Sequence, residues 1–302
     1  MTELRTTDYH TAGEPFRIVA AGGPVPEGAT VRERREAAFA SEEAELARKL
    51  LCHEPRGHAD MYGCFLVPPD DDGADLGVLF WHKDGYSSAC GHGTIALGAW
   101  AVESGRVEAP RDGEVDVTID VPSGRVVARV RMRGGAVESV VFVNVPAYVV
   151  SRGEVDVAYG GALYASVPAA AFGLRVVPDD LPELIAAGRR VKADLGDPEL
   201  YGTILWEELG PLHQRNVTIF ADGEVDRSPC GSGTSARCAL LGLRPGETLR
   251  HDSIVGTTFL AHVVGETEAG VLTEVEGTAY RTGEHVFVLD PRDELGTGFV
   301  LR

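Results

Sequence analysis

The alternation of apolar and polar residues along the chain predicts many strands and a few helices. Residues 115–121 and 125–132 alternate on either side of a Pro-Ser-Gly turn, which predicts an antiparallel hairpin. Residues 31–51 and 180–194 instead space their apolar residues as amphipathic helices do, with Phe39 on the apolar side of the first. Further strands are predicted at 16–20, 61–67, 76–82, 136–150, 155–159, 201–207, 215–220, 254–264, 270–278 and 285–288.

A short motif occurs twice. CGHGTIA fills residues 90–96 and CGSGTSA fills residues 230–236, so Cys-Gly-x-Gly-Thr-x-Ala recurs after 140 positions (230 minus 90). A helical run follows each copy. In both halves the predicted order is a long helix, strands, the motif, a helix and more strands. This order predicts an α+β fold of two similar lobes, each with a sheet wrapped around a central helix.

Each motif sets a thiol just ahead of a helix, where the macrodipole and unpaired backbone N–H groups favour the thiolate and a bound anion. A low pKa is therefore expected for Cys90 and Cys230. Two such thiols predict a proton transfer in which one removes an acidic Cα proton and the other delivers one to the opposite face. The alternatives are a disulfide switch, a hydrolase pairing Cys90 with His92, and two unrelated buried cysteines.

Composition narrows the classes of function. The chain has 302 residues, enough for two domains, and its net charge of −18 argues against nucleic-acid binding. No zinc-ligand spacing, dinucleotide motif or phosphate-binding loop is present, so neither a metal nor a cofactor is predicted. The N-terminal residues lack an apolar signal segment and no apolar run is long enough to cross a membrane, so a cytoplasmic location is expected.

The string DRSPCGSGT at 226–234, together with CGH at 90–92, resembles the proline racemase family. That family includes proline racemases, 4-hydroxyproline 2-epimerases and trans-3-hydroxy-L-proline dehydratases. The likeness extends to 10–15, 54–63, 278–283, 288–291 and 298–299. It implies the two-lobed fold of diaminopimelate epimerase, each lobe a barrel-like sheet around a central helix. The implied lobes are 1–125 with 288–302, and 126–287.

The resemblance also implies cofactor-independent catalysis on a small-molecule substrate, with a homodimer as a further expectation. Cys90 and Cys230 would be the acid/base pair, facing each other across an interlobe cleft with their sulfurs a few ångströms apart. The other positions carried over are substrate-binding. They are His92 and Asp226 near the ring nitrogen and the thiols, Gly91, Gly231 and Ser232 as carboxylate-binding N–H donors, and Gly256 with Thr257 on a loop that closes on the substrate.

Two features bear on the substrate. Family epimerases carry Met immediately before the first Cys, whereas Tyr86-Ser87-Ser88-Ala89 precedes Cys90 here, which resembles the dehydratase branch. The second thiol is intact, however, whereas family dehydratases often carry Thr there. Inversion needs a proton donor on each face, so the predicted activity is 4-hydroxyproline 2-epimerase. Trans-3-hydroxy-L-proline dehydratase and proline racemase are the alternatives. Cys52, Cys64 and Cys238 are predicted to be structural, and His213 is a candidate pocket residue.

Overall fold

The computed structural model describes residues 3–301, and within them it contains five α-helices and eighteen strands. The helices are α1 (Val31–Ala40), α2 (Glu42–Cys52), α3 (Gly91–Glu103), α4 (Leu181–Leu195) and α5 (Gly231–Leu241). The strands are β1 (Leu4–Thr11), β2 (Glu14–Ala21), β3 (Gly63–Val67), β4 (Leu76–His82), β5 (Gly85–Tyr86), β6 (Gly113–Val121), β7 (Gly124–Arg133), β8 (Ala136–Val143), β9 (Tyr148–Ser151), β10 (Asp156–Tyr159), β11 (Leu163–Pro168), β12 (Leu200–Gly210), β13 (His213–Phe220), β14 (Glu224–Asp226), β15 (Thr248–Ser253), β16 (Thr258–Thr267), β17 (Gly270–Gly277) and β18 (Ala279–Phe287).

The chain divides into two units. Among residues 3–301, the first contains 3–11, 15–138 and 279–301, and the second contains 12–14 and 139–278. The division predicted from the sequence, at 125/126 and 287/288, differs from this one. Residue 125 lies inside β7, which pairs with β6 along its length, and β18 pairs with β1. These pairings keep the whole β6–β7 hairpin and β18 in the first unit.

The two units repeat one order of strand pairings. In the first unit β2 pairs parallel with β3, β3 antiparallel with β4, β4 parallel with β6, and β6 antiparallel with β7. In the second, β11, β12, β13, β15 and β16 follow the same sequence of parallel and antiparallel pairs. Even the short strands correspond, because β5 pairs antiparallel with β4 and β14 with β13. The predicted duplication is therefore visible in the topology.

The helices that follow the two cysteines form the centre of each unit. Every residue of 91–101 in α3 and of 231–240 in α5 is buried. A helix buried on all sides needs small side chains, which predominate in both helices, and partners for its polar ones. The buried Arg237 of α5, for example, donates to Gln214 and Ser166. Strands of its own unit pack against each helix, as the predicted sheet around a central helix requires.

The prediction of one helix at 31–51 is wrong. α1 ends at Ala40 and α2 begins at Glu42, because Ser41 has extended backbone angles and its hydroxyl accepts the Ala44 N–H at 3.2 Å. Serine at this position caps α2 rather than continuing α1. The break also turns Phe39, predicted to be on the apolar side, to a position where 51% of it is exposed. Over residues 3–301, no helix is long and apolar enough to span a membrane.

A buried ion pair holds the first unit together. Arg17 on β2 donates to both carboxylate oxygens of Asp8 on β1 at 2.8–3.1 Å, and the two side chains are 8% and 10% exposed. The Arg17 guanidinium also donates to the backbone carbonyls of Leu51 and Arg56 and lies 4.4 Å from the centre of the Phe287 ring. One side chain therefore joins β1, β2, the end of α2 and the end of β18.

Asp8→Asn should destabilise the protein by about 3–5 kcal/mol, because it leaves the buried Arg17 charge without its counter-ion. Chemical denaturation followed by far-UV circular dichroism measures the change. The matched control is Asp290→Asn, which removes the partner of Arg292 from an ion pair at the surface. The control should leave the midpoint unchanged, since exposed pairs contribute little. Equal midpoints for the two variants would refute the assignment.

Candidate active site

Both cysteines of the repeated motif lie at the start of a buried helix. Cys90 is the N-cap of α3, and its sulfur accepts the Gly93 N–H at 3.2 Å. Cys230 occupies the same place before α5. Each is 5% exposed, and both are free thiols. The sequence thus located both thiols relative to their helices.

The second glycine of each motif makes room for the sulfur. A Cβ atom built on Gly93 would lie 2.7 Å from Cys90 Sγ, and one built on Gly233 would lie 2.9 Å from Cys230 Sγ. Distances this short do not occur between a real Cβ and a sulfur, so any other residue would push the thiol away. The second glycine of the Cys-Gly-x-Gly motif is therefore required because the cysteine sulfur packs against the helix backbone at that position.

His92 lies against the first thiol. Its two ring nitrogens are 3.5 and 3.6 Å from Cys90 Sγ, and Phe16 and Tyr62 meet its ring edge-on. Burial lowers the pKa of His92 to about 3, so the imidazole is neutral at physiological pH. It can exchange a hydrogen bond with the sulfur, but it does not offer the positive charge of a conventional Cys-His pair.

The expectation of a low pKa is wrong for Cys230. Burial raises the pKa of this thiol to about 12, and the negative charge of Asp226 adds to the shift. The Gly233 N–H and the hydroxyls of Tyr164 and Thr218 act in the opposite direction but are weaker. Desolvation of the thiolate therefore outweighs the helix N-terminus. At neutral pH Cys230 is a protonated thiol.

Asp226 is the charged neighbour of Cys230. One carboxylate oxygen accepts the Ser228 N–H at 2.8 Å and the Ser228 hydroxyl at 2.7 Å, and the Ser228 oxygen accepts the Cys230 N–H at 3.1 Å. The carboxylate also hydrogen-bonds the Cys230 side chain. Burial raises the pKa of Asp226 to about 6 despite these bonds. Asp226 thus changes its charge close to physiological pH.

Three residues of this site were not predicted. The Tyr164 hydroxyl lies 3.7 Å from Cys230 Sγ and 2.6 Å from the Ser232 hydroxyl. Thr218 hydrogen-bonds the thiol, and Ser228 joins Asp226 to the Cys230 backbone. Ser228 lies inside the DRSPC string and could have been found there. Tyr164 and Thr218 reach the thiol only through the pairing of β11, β12 and β13, which no local pattern reveals.

The remaining candidates occupy helix starts and one tight turn. Gly91 and Gly231 are the first residues of α3 and α5, where N–H groups have no partner within the helix. Gly256 has a φ of +84° in the turn between β15 and β16. In that turn Thr257 donates its hydroxyl to Ala12 O at 2.7 Å, which fastens the turn to the loop after β1. His213 hydrogen-bonds Asp252 at 2.7 Å.

The residues before Cys90 form a polar contact of their own. The Ser87 hydroxyl makes a short hydrogen bond with the Tyr62 hydroxyl, and both side chains are buried. Tyr62 in turn packs against His92. Ser87, three residues before Cys90, therefore belongs to the surroundings of the first thiol.

The chain is similar to known proteins both in sequence and in fold. The sequence profile of the proline racemase family matches residues 6–300. A trans-3-hydroxy-L-proline dehydratase from Azospirillum brasilense is 43% identical over 334 residues, 99% of this chain and 98% of that protein. A 3-hydroxyproline 2-epimerase from Burkholderia multivorans is 43% identical over 332 residues, with coverage of 99% and 98%. The crystal structure of a hydroxyproline epimerase from Agrobacterium vitis with bound trans-4-hydroxy-L-proline has a TM-score of 0.91 at 28% identity, covering 100% of this chain and 97% of that one.

Asp226→Asn should lower the pKa of Cys230, because it removes a negative charge that raises it. An amide oxygen can still accept the Ser228 hydrogen bonds, so the turn should persist. Iodoacetamide alkylation at pH 8–9, read by peptide mass spectrometry, should be faster at Cys230 in the variant, since the thiolate is the reacting form. Cys238, also buried, is the internal control, and Asp222→Asn on the surface is the control variant. Slower or unchanged alkylation would contradict the charge effect.

Proposed function

The chain belongs to the proline racemase family, and from this premise we propose that it is a hydroxyproline 2-epimerase whose acid/base groups are the thiols of Cys90 and Cys230. The observation that carries the proposal is the duplicated thiol turn. Two buried cysteines, each at the start of a central helix and each resting on a glycine, give one acid/base group per unit. Inversion at Cα uses two such groups, one for each face.

The protonated state of Cys230 is the basis for the direction that we propose for the first step. Cys90, whose sulfur accepts a backbone N–H, removes the Cα proton, and the C–H electron pair moves into the carboxylate to form an enolate. Cys230, protonated at neutral pH, gives its S–H proton to the opposite face, and the electron pair returns to form the new C–H bond. One proton leaves the substrate and one enters it. The two thiols have then exchanged protonation states, and proton exchange with water restores them for the next turnover.

The enolate needs stabilisation, because the Cα proton of an amino acid is only weakly acidic. We propose that N–H groups of Gly91, Gly231 and Ser232 bind the substrate carboxylate at the two helix N-termini, where the dipoles oppose the growing negative charge. The Asp226 carboxylate would hold the ring ammonium, and His92 would lie beside the same ring nitrogen. The turn with Gly256 and Thr257 would close over the bound ring. No metal or cofactor is required for these steps.

The position of the substrate hydroxyl separates the candidates. Trans-4-hydroxy-L-proline is the predicted substrate, and the solved epimerase from Agrobacterium vitis binds that compound. The relatives from Azospirillum brasilense and Burkholderia multivorans are named for 3-hydroxyproline, and they share more sequence with this chain. The second candidate is therefore trans-3-hydroxy-L-proline dehydratase. There one base removes the Cα proton, the 3-hydroxyl leaves as water with an added proton, and the enamine becomes a pyrroline.

One assay distinguishes these activities. The protein is incubated in heavy water with trans-4-hydroxy-L-proline, trans-3-hydroxy-L-proline and L-proline separately, and proton NMR follows the Cα signal and the ring signals. An epimerase gives the cis-D form with deuterium at Cα and keeps every ring carbon saturated. Formation of a pyrroline from the 3-hydroxy compound, with 4-hydroxyproline untouched, would replace the proposal with the dehydratase.

Cys90→Ser and Cys230→Ser should each abolish inversion, since a serine hydroxyl is far too weak an acid to replace a thiol. One of the two should still exchange the Cα proton of a single epimer, because one base remains. The matched control is Cys238→Ser, which changes a buried thiol eight positions after Cys230 and should leave turnover nearly intact. The predicted structural roles of Cys52 and Cys64 are tested in the same way. Unchanged inversion in both single variants would exclude the two-thiol mechanism.

The rate should also fall in acid. Asp226 has a pKa of about 6, so it is a carboxylate above this pH and is neutral below it. If the carboxylate binds the ring ammonium, kcat/KM should fall about tenfold per pH unit below this value. Steady-state assays between pH 4.5 and 8 measure the profile. The Asp226→Asn variant should have a lower kcat/KM at every pH and should not show the fall in acid. If the variant keeps the same fall in acid, a group other than Asp226 causes it.

A further inference from the structure

Cys230 has an unusual backbone conformation. Its φ is +64°, in the left-handed region that residues with a side chain rarely adopt, whereas Cys90 has an extended φ of −153°. A conformation of this kind costs free energy and persists only where the surrounding structure holds it in place. The second thiol turn therefore needs supports that the first does not.

Hydrogen bonds fix the peptide groups on both sides of Cys230. On one side, the Asn216 amide donates to Pro229 O at 3.0 Å, and the Cys230 N–H donates to Ser228 Oγ at 3.1 Å. On the other side, Cys230 O accepts the Thr234 N–H at 2.7 Å. Asn216 lies on β13 and Thr234 in the first turn of α5, so the turn is held between a strand and the helix.

His251 on β15 joins these two supports. It is fully buried, and its Nδ1 lies 2.8 Å from the Thr234 hydroxyl and 3.3 Å from the Asn216 amide nitrogen. No described group bonds its other ring nitrogen, Nε2. Burial lowers the pKa of His251 to about 3, so the ring is neutral. Whatever His251 contributes to the turn therefore passes through Nδ1.

The direction of these bonds can be assigned from their partners. Pro229 O only accepts, so the Asn216 atom beside it is the NH₂ group, and the Asn216 oxygen then faces the Thr218 hydroxyl at 3.3 Å. Because that NH₂ group also faces His251, Nδ1 must be the acceptor, and the ring proton is on Nε2. The Thr234 hydroxyl lies 2.8 Å from Nδ1 and 3.0 Å from Pro229 O, so its single proton is shared between these two acceptors.

The same network reaches the thiol itself. Thr218, whose hydroxyl donates to the Asn216 oxygen, also hydrogen-bonds the Cys230 side chain. His251 thus fixes Asn216, and Asn216 orients both the Pro229 carbonyl and the Thr218 hydroxyl. In the first unit Thr94 donates its hydroxyl to Cys90 O within its own helix, at 2.9 Å.

We propose that His251 is a positioning residue for Cys230: by accepting hydrogen bonds from Thr234 and Asn216 at Nδ1, it holds the thiol turn in the left-handed conformation that aims the sulfur. The consequence for catalysis rests on the proposed acid/base role of Cys230. The consequence for the position of the thiol does not, so the two are measured separately.

The test compares His251→Leu with His251→Asn in the full-length protein. Leucine removes the acceptor, whereas the asparagine side-chain oxygen can occupy the place of Nδ1. His251→Leu should lower kcat for hydroxyproline inversion by about 10- to 100-fold with little change in KM, as expected for a misplaced acid/base group. Iodoacetamide alkylation should become at least about 3-fold faster at Cys230, because the released turn exposes the sulfur, and stay unchanged at Cys90. His251→Asn should recover most of both properties.

The structure supplies a matched control in the same unit. His262 on β16 also has Nδ1 at 2.8 Å from a threonine hydroxyl, that of Thr248. His262→Leu removes the same kind of bond and should alter neither kcat nor alkylation at Cys230. If His251→Leu fails to fold, Thr234→Ala and Thr234→Ser replace it, since the serine retains the hydroxyl that donates to His251.

The outcomes separate this proposal from the proposed function. A folded His251→Leu protein with kcat within twofold of the parent and unchanged Cys230 alkylation would overturn the positioning role. Equal losses in His251→Leu and His262→Leu would overturn it too, because they indicate general loosening of the second unit. If Cys230→Ser retains inversion while His251→Leu still accelerates alkylation at Cys230, the proposed function fails and the positioning role stands.

Discussion

The proposed chemistry of this protein depends on the close approach of a sulfur atom to the backbone of a buried helix. Glycine at 93 and at 233 permits this approach, because any Cβ there would overlap the sulfur. The helix must in turn be buried on all sides, so that water does not compete for its first N–H groups and the walls stay rigid. The strands that surround each helix exist, in this sense, to keep one turn dry and fixed.

Duplication has produced two turns of the same design with different chemistry. Tyr86 and Asp226 end the equivalent short strands β5 and β14, and each lies four residues before its cysteine. His92 places a neutral imidazole beside the first thiol, whereas Asp226 places a carboxylate beside the second. That carboxylate raises the pKa of Cys230, which keeps this thiol protonated at neutral pH. A scaffold that is nearly symmetric can in this way hold two groups with unequal tendencies to be charged.

Local patterns in the sequence predicted the features that have local causes. The Cys-Gly-x-Gly motif located both helix starts, and the alternation around 122–124 located the β6–β7 hairpin, because both depend on neighbours in the chain. The break at Ser41 was missed because helix-favouring Ala, Glu, Arg and Leu residues on both sides of it hid one serine that acts as a cap. The upward shift of the Cys230 pKa was missed because a motif reveals the position of the helix N-terminus but not how deeply the thiol is buried. Tyr164 and Thr218 contact the second thiol from β11 and β13, and His251 contacts the residues that support its turn from β15. Only the assembled sheet brings these three strands together.

The pairing of the first and last strands has a consequence for how the protein is made. β1 and β18 are neighbours in the sheet of the first unit, although almost the whole chain separates them. On the ribosome, β9 to β17 have all emerged before β18 appears, so nearly all of the second unit can assemble while the first still lacks an edge. The first unit, whose β2 carries the Arg17 that packs on Phe287, closes only after β18 has emerged. A chain that ends before β18 would therefore leave the first unit, which contains the Cys90 thiol, without the strand that pairs with β1.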